Sequence, residues 1–218
     1  MIKMVISDVE EFNNLKSKKW MLGNNILYKM CSDHPNHTDP EEIRAKIWLI
    51  GRSYAAAIER RTKKKHINDD FYDYVVNEFI KFNRENKFDS KLQSLKNKEF
   101  NEDTLKEILS IHKELVKFFN KLTGKEKRSL ASKYLHFHVP IFPIYDSRAN
   151  NSINKVVMGN IKDLRLFGDK EYSKFCYKIF LFYNFIKDKT GKAPTLREID
   201  TYLIKVANEN LSKKKEEE

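Results

Sequence analysis

The residues best placed to do chemistry lie between Leu122 and Ala149, in the stretch LTGKEKRSLASKYLHFHVPIFPIYDSRA. Asp146 follows the apolar run Pro143-Ile144-Tyr145 and stands where a helix can begin. The positive end of a helix dipole keeps such a carboxylate ionised, ready to stabilise positive charge or orient a proton donor. Asp is also among the commonest N-cap residues, so a structural role is open at the same position. Arg148, two residues on, is suited to bind a phosphate or to pair with Asp146. Upstream, Lys125, Lys127 and Arg128 crowd a turn at Gly124. A tight turn that feeds a helix presents N–H groups and the positive dipole end, which together bind phosphate. An ordinary solvated basic turn would have the same composition.

Other constellations carry weaker signals. On a helix expected from Pro40 to about Arg61, Trp48, Arg52, Ala55 and Glu59 share a face beside the apolar stripe Ile47, Gly51, Tyr54 and Ile58. Charges beside a core stripe read either as a structural Arg–Glu pair or as a pocket wall. Gly51 with Ala55, Ala56 and Ala57 implies close packing of backbone. His136 and His138 are two apart, so on a helix they point to different faces and make a poor metal pair. Protonated His is favourable at a helix C-terminus, and His136 could also line a pocket near Asp146. Cys31-x-x-His34-x-x-His37 has metal-ligand spacing but no evident fourth ligand, and no metal is expected.

Helices must position these residues. Ser7-x-x-Glu10 reads as a capping box followed by Val9, Phe12 and Leu15, and Asn24 to Cys31 as a short helix. A polar break, Ser32 to Thr38, precedes the Asp39-Pro40 helix start. A basic loop runs from Lys63 to His66, and Asn68-Asp69-Asp70 opens a helix with Phe71, Val75, Phe79 and Phe82 inward. A shorter helix covers Ser90 to Asn97, and a strongly amphipathic one Glu102 to Leu122. After the Thr123-Gly124-Lys125 turn comes a helix with Leu130, Ala131, Tyr134 and Leu135. Pro140 and Pro143 bracket a short extended segment. Asp169 to Lys189 is a long aromatic helix, and Thr195-x-x-Glu198 caps the last one. Strands are essentially absent. The fold class is all-α, a two-lobed bundle of roughly 9–11 helices. One domain is expected over 1–212, with the hairpin at about 103–138, the loop that carries Asp146 at 139–148, and a charged tail at 213–218.

Composition narrows the partners. Lys and Arg number 42 against 31 Asp and Glu, for a net charge of +11. That excess favours nucleic acid or another anionic surface. The run Lys213-Lys214-Lys215-Glu216-Glu217-Glu218 cancels itself, so the excess belongs to the folded part. With 15 Phe and 10 Tyr the chain can build a real core, and 6 Gly and 5 Pro are too few for a turn-rich β-sandwich. Two cysteines, Cys31 and Cys176, imply no disulfide framework. Neither a secretory leader nor a membrane span is evident, so a cytoplasmic, nucleoid-associated monomer is expected.

The stretch from Leu122 to Asp146 resembles the helix-hairpin-helix DNA glycosylase superfamily. Leu122-Thr123-Gly124-Lys125-Glu126-Lys127-Arg128 falls without gaps on that family's hairpin, and Pro143-Ile144-Tyr145-Asp146 on the segment ending in its catalytic Asp. The two departures are Glu126, where the family has its second hairpin glycine, and Arg128, at the position of the lyase lysine. Arginine stays protonated and forms no Schiff base. Lys133 lies about 140° around the helix from Arg128, so the lyase role does not pass to it.

The resemblance therefore implies a monofunctional glycosylase. It would flip a damaged or modified base out of double-stranded DNA and hydrolyse its N-glycosidic bond, in repair or in defence against viral DNA carrying modified bases. Asp146 would stabilise the oxocarbenium character of the sugar and orient the water. Gly124, Lys125, Lys127, Arg128, Lys133 and Arg148 would contact DNA. Trp48, Arg52, Tyr54, Glu59, His136 and Tyr145 would line the base pocket. No metal or organic cofactor is needed, and two cysteines rule out the four-cysteine iron–sulfur cluster of some relatives. The alternatives are a non-catalytic helix-hairpin-helix DNA-binding protein, with Asp146 a cap, and a helical toxin or RNA-binding protein.

Overall fold

The computed structural model describes residues 3–4, 12, 20–63, 69–159, 161, 164 and 167–216. Among them the elements in chain order are β1 (Lys3–Met4), α1 (Met21–Asp33), α2 (Pro40–Ser53), α3 (Asp69–Asn86), α4 (Phe88–Leu95), α5 (Glu102–Thr123), α6 (Arg128–His138), α7 (Ser147–Val156), β2 (Val157–Met158), α8 (Lys170–Thr190) and α9 (Leu196–Glu216). The described residues are thus all-α apart from one antiparallel pair, Lys3 opposite Met158 and Met4 opposite Val157. The chain divides into two compact units, one of residues 1–19, 100–109 and 143–218 and the other of 20–99 and 110–142. The Ser7–Glu10 capping box and the loop residues Lys64 to His66 lie outside the described residues.

The second unit carries the hairpin. Its α2 starts as local chemistry dictates. The Asp39 carboxylate accepts from the Glu41 and Glu42 N–H groups at 2.9 and 3.0 Å, and Pro40 fills the first helical position, where no N–H is needed. The helix stops at Ser53 and does not reach Arg61. Ala55 takes a left-handed φ of 50°, and the Ala56 N–H donates back to the Gly51 carbonyl at 2.8 Å. The chain then folds over Gly51 so closely that a Cβ there would meet the Ala57 Cα at 3.0 Å. The small residues at 51 and 55–57 serve this reversal. Helix α2 packs on α1, α3 and α6, and α1 packs on α6. Phe79 of α3 lies edge-on to Phe88 and Phe118, at 5.7 and 5.1 Å between ring centres, and Phe71, Val75 and Phe82 are buried as their spacing predicts.

The other unit carries Asp146. Here α7 packs on α8 and α9. The Asp169 carboxylate caps α8 through the Glu171 and Tyr172 N–H groups, both at 3.0 Å. Thr195 and Glu198 form the expected reciprocal box at the start of α9: the Thr195 N–H donates to Glu198 Oε2 at 2.7 Å, and the Glu198 N–H to Thr195 Oγ1 at 3.1 Å. Phe12 is buried edge-on to Phe182 and Tyr202. The last helix continues through Lys213-Lys214-Lys215 to Glu216, a stretch whose composition alone reads as a tail.

Candidate nucleic-acid interface and candidate catalytic aspartate

Helix α5 ends at Thr123 and α6 begins at Arg128, so the hairpin forms where the sequence places it. Gly124 makes the turn at φ +68°, a region that favours glycine, and its N–H donates to the Asn120 carbonyl at 2.8 Å. Thr123 Oγ1 stitches the bend by donating to the Phe119 carbonyl at 2.8 Å and accepting from the Lys125 N–H at 3.2 Å. His112 of α5 reaches the Arg128 carbonyl at 3.3 Å, tying the two helices together. No side chain caps the start of α6 at Lys127.

The basic residues of the turn differ in their surroundings. Lys125 is exposed. The Lys127 ammonium is half-buried and donates to the Arg60 carbonyl at 2.5 Å; burial pushes its pKa down, the charge of Glu59 pulls it back up, and the charge of Lys125 adds to the lowering. Arg128 pairs with Glu126, which brings an acid to the helix start. Lys133 lies inside, 2% exposed, and not on the basic surface. Its Nζ donates to Ser129 Oγ at 2.7 Å and sits 5.7 Å from the centre of the Tyr54 ring.

A neighbour of the hairpin is invisible in the sequence. Residues 60–63 lie against the turn. Thr62 Oγ1 and the Lys63 N–H both donate to the Thr123 carbonyl, at 2.9 and 3.0 Å, and the Lys127 ammonium holds the Arg60 carbonyl. A Cβ on Gly124 would come within 3.2 Å of the Lys63 Cβ, so the close approach needs glycine as much as the turn does. Arg60, Arg61 and Lys63 are exposed. Their run of basic residues was the available signal; nothing in the spacing paired it with a turn some 60 residues further on.

Five of the six residues expected to read a base, Trp48, Arg52, Tyr54, Glu59 and His136, belong to the hairpin unit. Arg52 pairs with Glu59, which also accepts from the Tyr72 hydroxyl at 2.6 Å, and the Arg52 guanidinium lies 6.0 Å from the Trp48 ring centre. Burial pushes the Tyr72 pKa up, and Glu59 raises it further. The Arg52–Glu59 pair spans the reversal after Ser53 instead of running down a continuous helix face. Tyr54 donates to Asn24 Oδ1 at 2.6 Å and lies edge-on to Phe137. His136 is fully buried: its Nδ1 donates to the Phe142 carbonyl at 2.8 Å, and its Nε2 accepts from the Tyr28 hydroxyl at 2.5 Å.

Asp146 and Tyr145 belong to the other unit. Asp146 is half-buried and caps α7, with Oδ1 accepting from the Ala149 N–H at 2.9 Å. The segment before it is held by the Tyr172 hydroxyl, which donates to the Pro143 carbonyl at 2.9 Å. Tyr145 is buried edge-on to Phe175 and donates to Glu171. Arg148 is exposed and donates to Asn208.

The hairpin unit also holds a buried polar network that sequence spacing did not reveal. His37 is fully buried, its Nδ1–H donating to Asp89 and its Nε2 accepting from the Tyr134 hydroxyl at 2.8 Å. Asn83 donates to the same carboxylate at 2.7 Å. Burial drives the His37 pKa down to about 4, against the raising effect of Asp89. Burial alone would raise the Asp89 carboxyl, but hydrogen bonds from His37 and Asn83 outweigh it and hold the pKa below its ordinary value. Lys46 is fully buried with Nζ on the His34 and Asn36 carbonyls at 2.8 and 2.6 Å, and burial lowers its pKa. Burial lifts the Cys31 thiol to about 12. His34 pairs with Glu42 at 2.6 Å, so His34 and His37 serve different partners, and Cys31 is a buried free thiol. Among the described residues no group of three or more His, Cys, Asp or Glu is arranged to hold a metal ion, and no helix is long and apolar enough to cross a membrane.

No protein-family model, characterised protein or solved structure matches this chain.

Proposed function

We propose that the chain is a helix-hairpin-helix DNA-binding protein that acts as a monofunctional DNA glycosylase, with Asp146 as its catalytic carboxylate. The observation that carries this reading is the order of local structure from Glu102 to Val156. A helix ends in a left-handed glycine, a second helix starts without a side-chain cap among lysines, and an extended Pro-Ile-Tyr segment delivers Asp146 to the start of a third. Each part suits the chemistry. A helix start with no side-chain cap, with Lys125 and Lys127 beside it and the acid Glu126 paired with Arg128, suits a phosphate oxygen. A carboxylate at this position favours the positive charge that develops as a base leaves its sugar. Arg128 at the lysine position removes the lyase step.

The test is base release. The protein is incubated with duplexes that carry different damaged or modified bases and treated with alkali, alongside Asp146→Asn. Breaks that appear only after alkali and disappear in the variant are the expected result. The capping bond from Ala149 to Asp146 favours a second reading, a binding protein in which this carboxylate is structural. That reading takes over if no duplex yields breaks while salt-sensitive binding persists in both proteins.

A further inference from the structure

We propose that residues 60–63 and the hairpin turn at 124–127 form one composite surface that binds the phosphate backbone of double-stranded DNA. The inference deepens the DNA-binding part of the reading above and rests on it. Neither segment alone would be a site. Three hydrogen bonds join them, two converging on the Thr123 carbonyl and one from Lys127 to the Arg60 carbonyl. The side chains of Arg61, Lys63 and Lys125 are thereby left exposed on adjoining segments. The acid within the turn, Glu126, is already paired with Arg128, and Glu59, which precedes residues 60–63, is paired with Arg52 and accepts from Tyr72. Gathering like charges costs free energy, and here part of the joint is made by a lysine that is itself half-buried. A surface held together in this way repels itself until a polyanion covers it.

The arrangement also selects among polyanions. The cations are spread over two exposed segments, which suits a row of phosphates better than a single small anion. A row of phosphates releases counterions for each contact made. Residues 60–63 and 123–128 contain no aromatic side chain. Proteins that hold single strands rely on aromatic stacking for much of their affinity, so this surface fits a backbone whose bases stay paired.

The measurement is anisotropy of a short, labelled, unmodified duplex over a series of salt concentrations, for the full chain and for the double variant Arg61→Gln/Lys63→Gln. Lys125→Gln serves as a second variant, and a thermal melt checks that each folds. Loss of two phosphate contacts makes the slope of log affinity against log salt shallower by about 1.8 and weakens binding roughly tenfold or more at 0.1 M salt. Variants that keep the wild-type slope and affinity overturn the proposal. So does the absence of duplex binding by the wild type, or tighter binding of a single-stranded RNA of equal length. The two readings fail separately. Binding that depends on these residues without base release from any duplex removes the glycosylase and leaves the surface. Base release with binding indifferent to Arg61 and Lys63 removes the surface and leaves the glycosylase.

Discussion

Two polar clusters in the hairpin unit follow opposite rules. Around His37, Asp89 and Lys46 the polar groups are wholly or partly buried, and each hydrogen-bonds a partner within the fold. Around the hairpin, Arg61, Lys63 and Lys125 are exposed, and burial lowers the pKa of Lys127 with help from Lys125, against the raising effect of Glu59. Burying a polar group is affordable only when its hydrogen bonds are made, so the first cluster must be complete to be stable. The second is stable without being complete. The first therefore belongs to the fold, where it joins the 34–37 loop, α2, α4 and α6. The second is the surface proposed to bind DNA. Each variant below should separate the two.

The largest expected effect is on the buried cluster and comes from pH. His37 has its ordinary pKa of 6.5 when unfolded and about 4 when folded. The unfolded chain binds the extra proton between these values, so the histidine's contribution is present above pH 6.5 and is lost as pH falls towards 4. The difference corresponds to about 3 kcal/mol. Burial depresses His138 in the same direction, and the depressed carboxyl of Asp89 extends the loss at lower pH. Urea unfolding at a series of pH values should show the decline over this window, and His37→Gln should remove the histidine's share of it. A stability that stays flat from pH 7 to 4 would mean that the imidazole is not held neutral.

Next in size is Asp89→Ala. It leaves the ring and backbone N–H groups of His37 without their acceptor, removes one of two acceptors of the Asn83 amide, and should cost about 2 kcal/mol, a figure reduced because this carboxylate is partly exposed. Duplex affinity should not change. A large loss of affinity at constant stability would show that the two clusters are not distinct in role.

How much of this could be read from the sequence depended on range. Helix starts were legible because Asp39-Pro40, Asp169 and Thr195-x-x-Glu198 act within four residues, and each forms the bond that its spacing implies. The hairpin was legible for the same reason, since Gly124 and the apolar pattern on either side are local. The end of α2 was not. A left-handed Ala55 and contact between Gly51 and Ala57 stop it, and neither follows from helix periodicity. The Arg52–Glu59 pair was expected for a face of a straight helix and forms across a reversal. His37 with Asp89, and Lys63 with Thr123, lie more than 50 residues apart, so only the folded chain brings them together. Asp146 was legible as a helix start. Its capping bond is there, while its chemistry rests on the resemblance and the base-release assay.

Gly124→Ala probes the joint between fold and surface. At φ +68° a Cβ is strained, and it would press on the Lys63 side chain at 3.2 Å. The expected cost is about 1 kcal/mol, read as a lower denaturation midpoint. Relieving that contact moves residues 60–63 away from the turn, so duplex affinity should fall as well. A loss of stability without any loss of affinity would show that the seating of 60–63 on the turn does not matter to binding.

The smallest expected change in stability is the most discriminating. Arg61→Gln/Lys63→Gln removes two cations from a surface where they repel Lys125 and Lys127. The melting temperature should therefore stay constant or rise slightly, while duplex binding weakens. Structural charges behave in the opposite way: their removal lowers stability and leaves binding alone. The sign of the melting shift thus assigns the cations independently of any binding assay. A clear fall would mean that Arg61 and Lys63 hold the turn together, and it would place them with His37 and Asp89 among the groups that the fold itself requires.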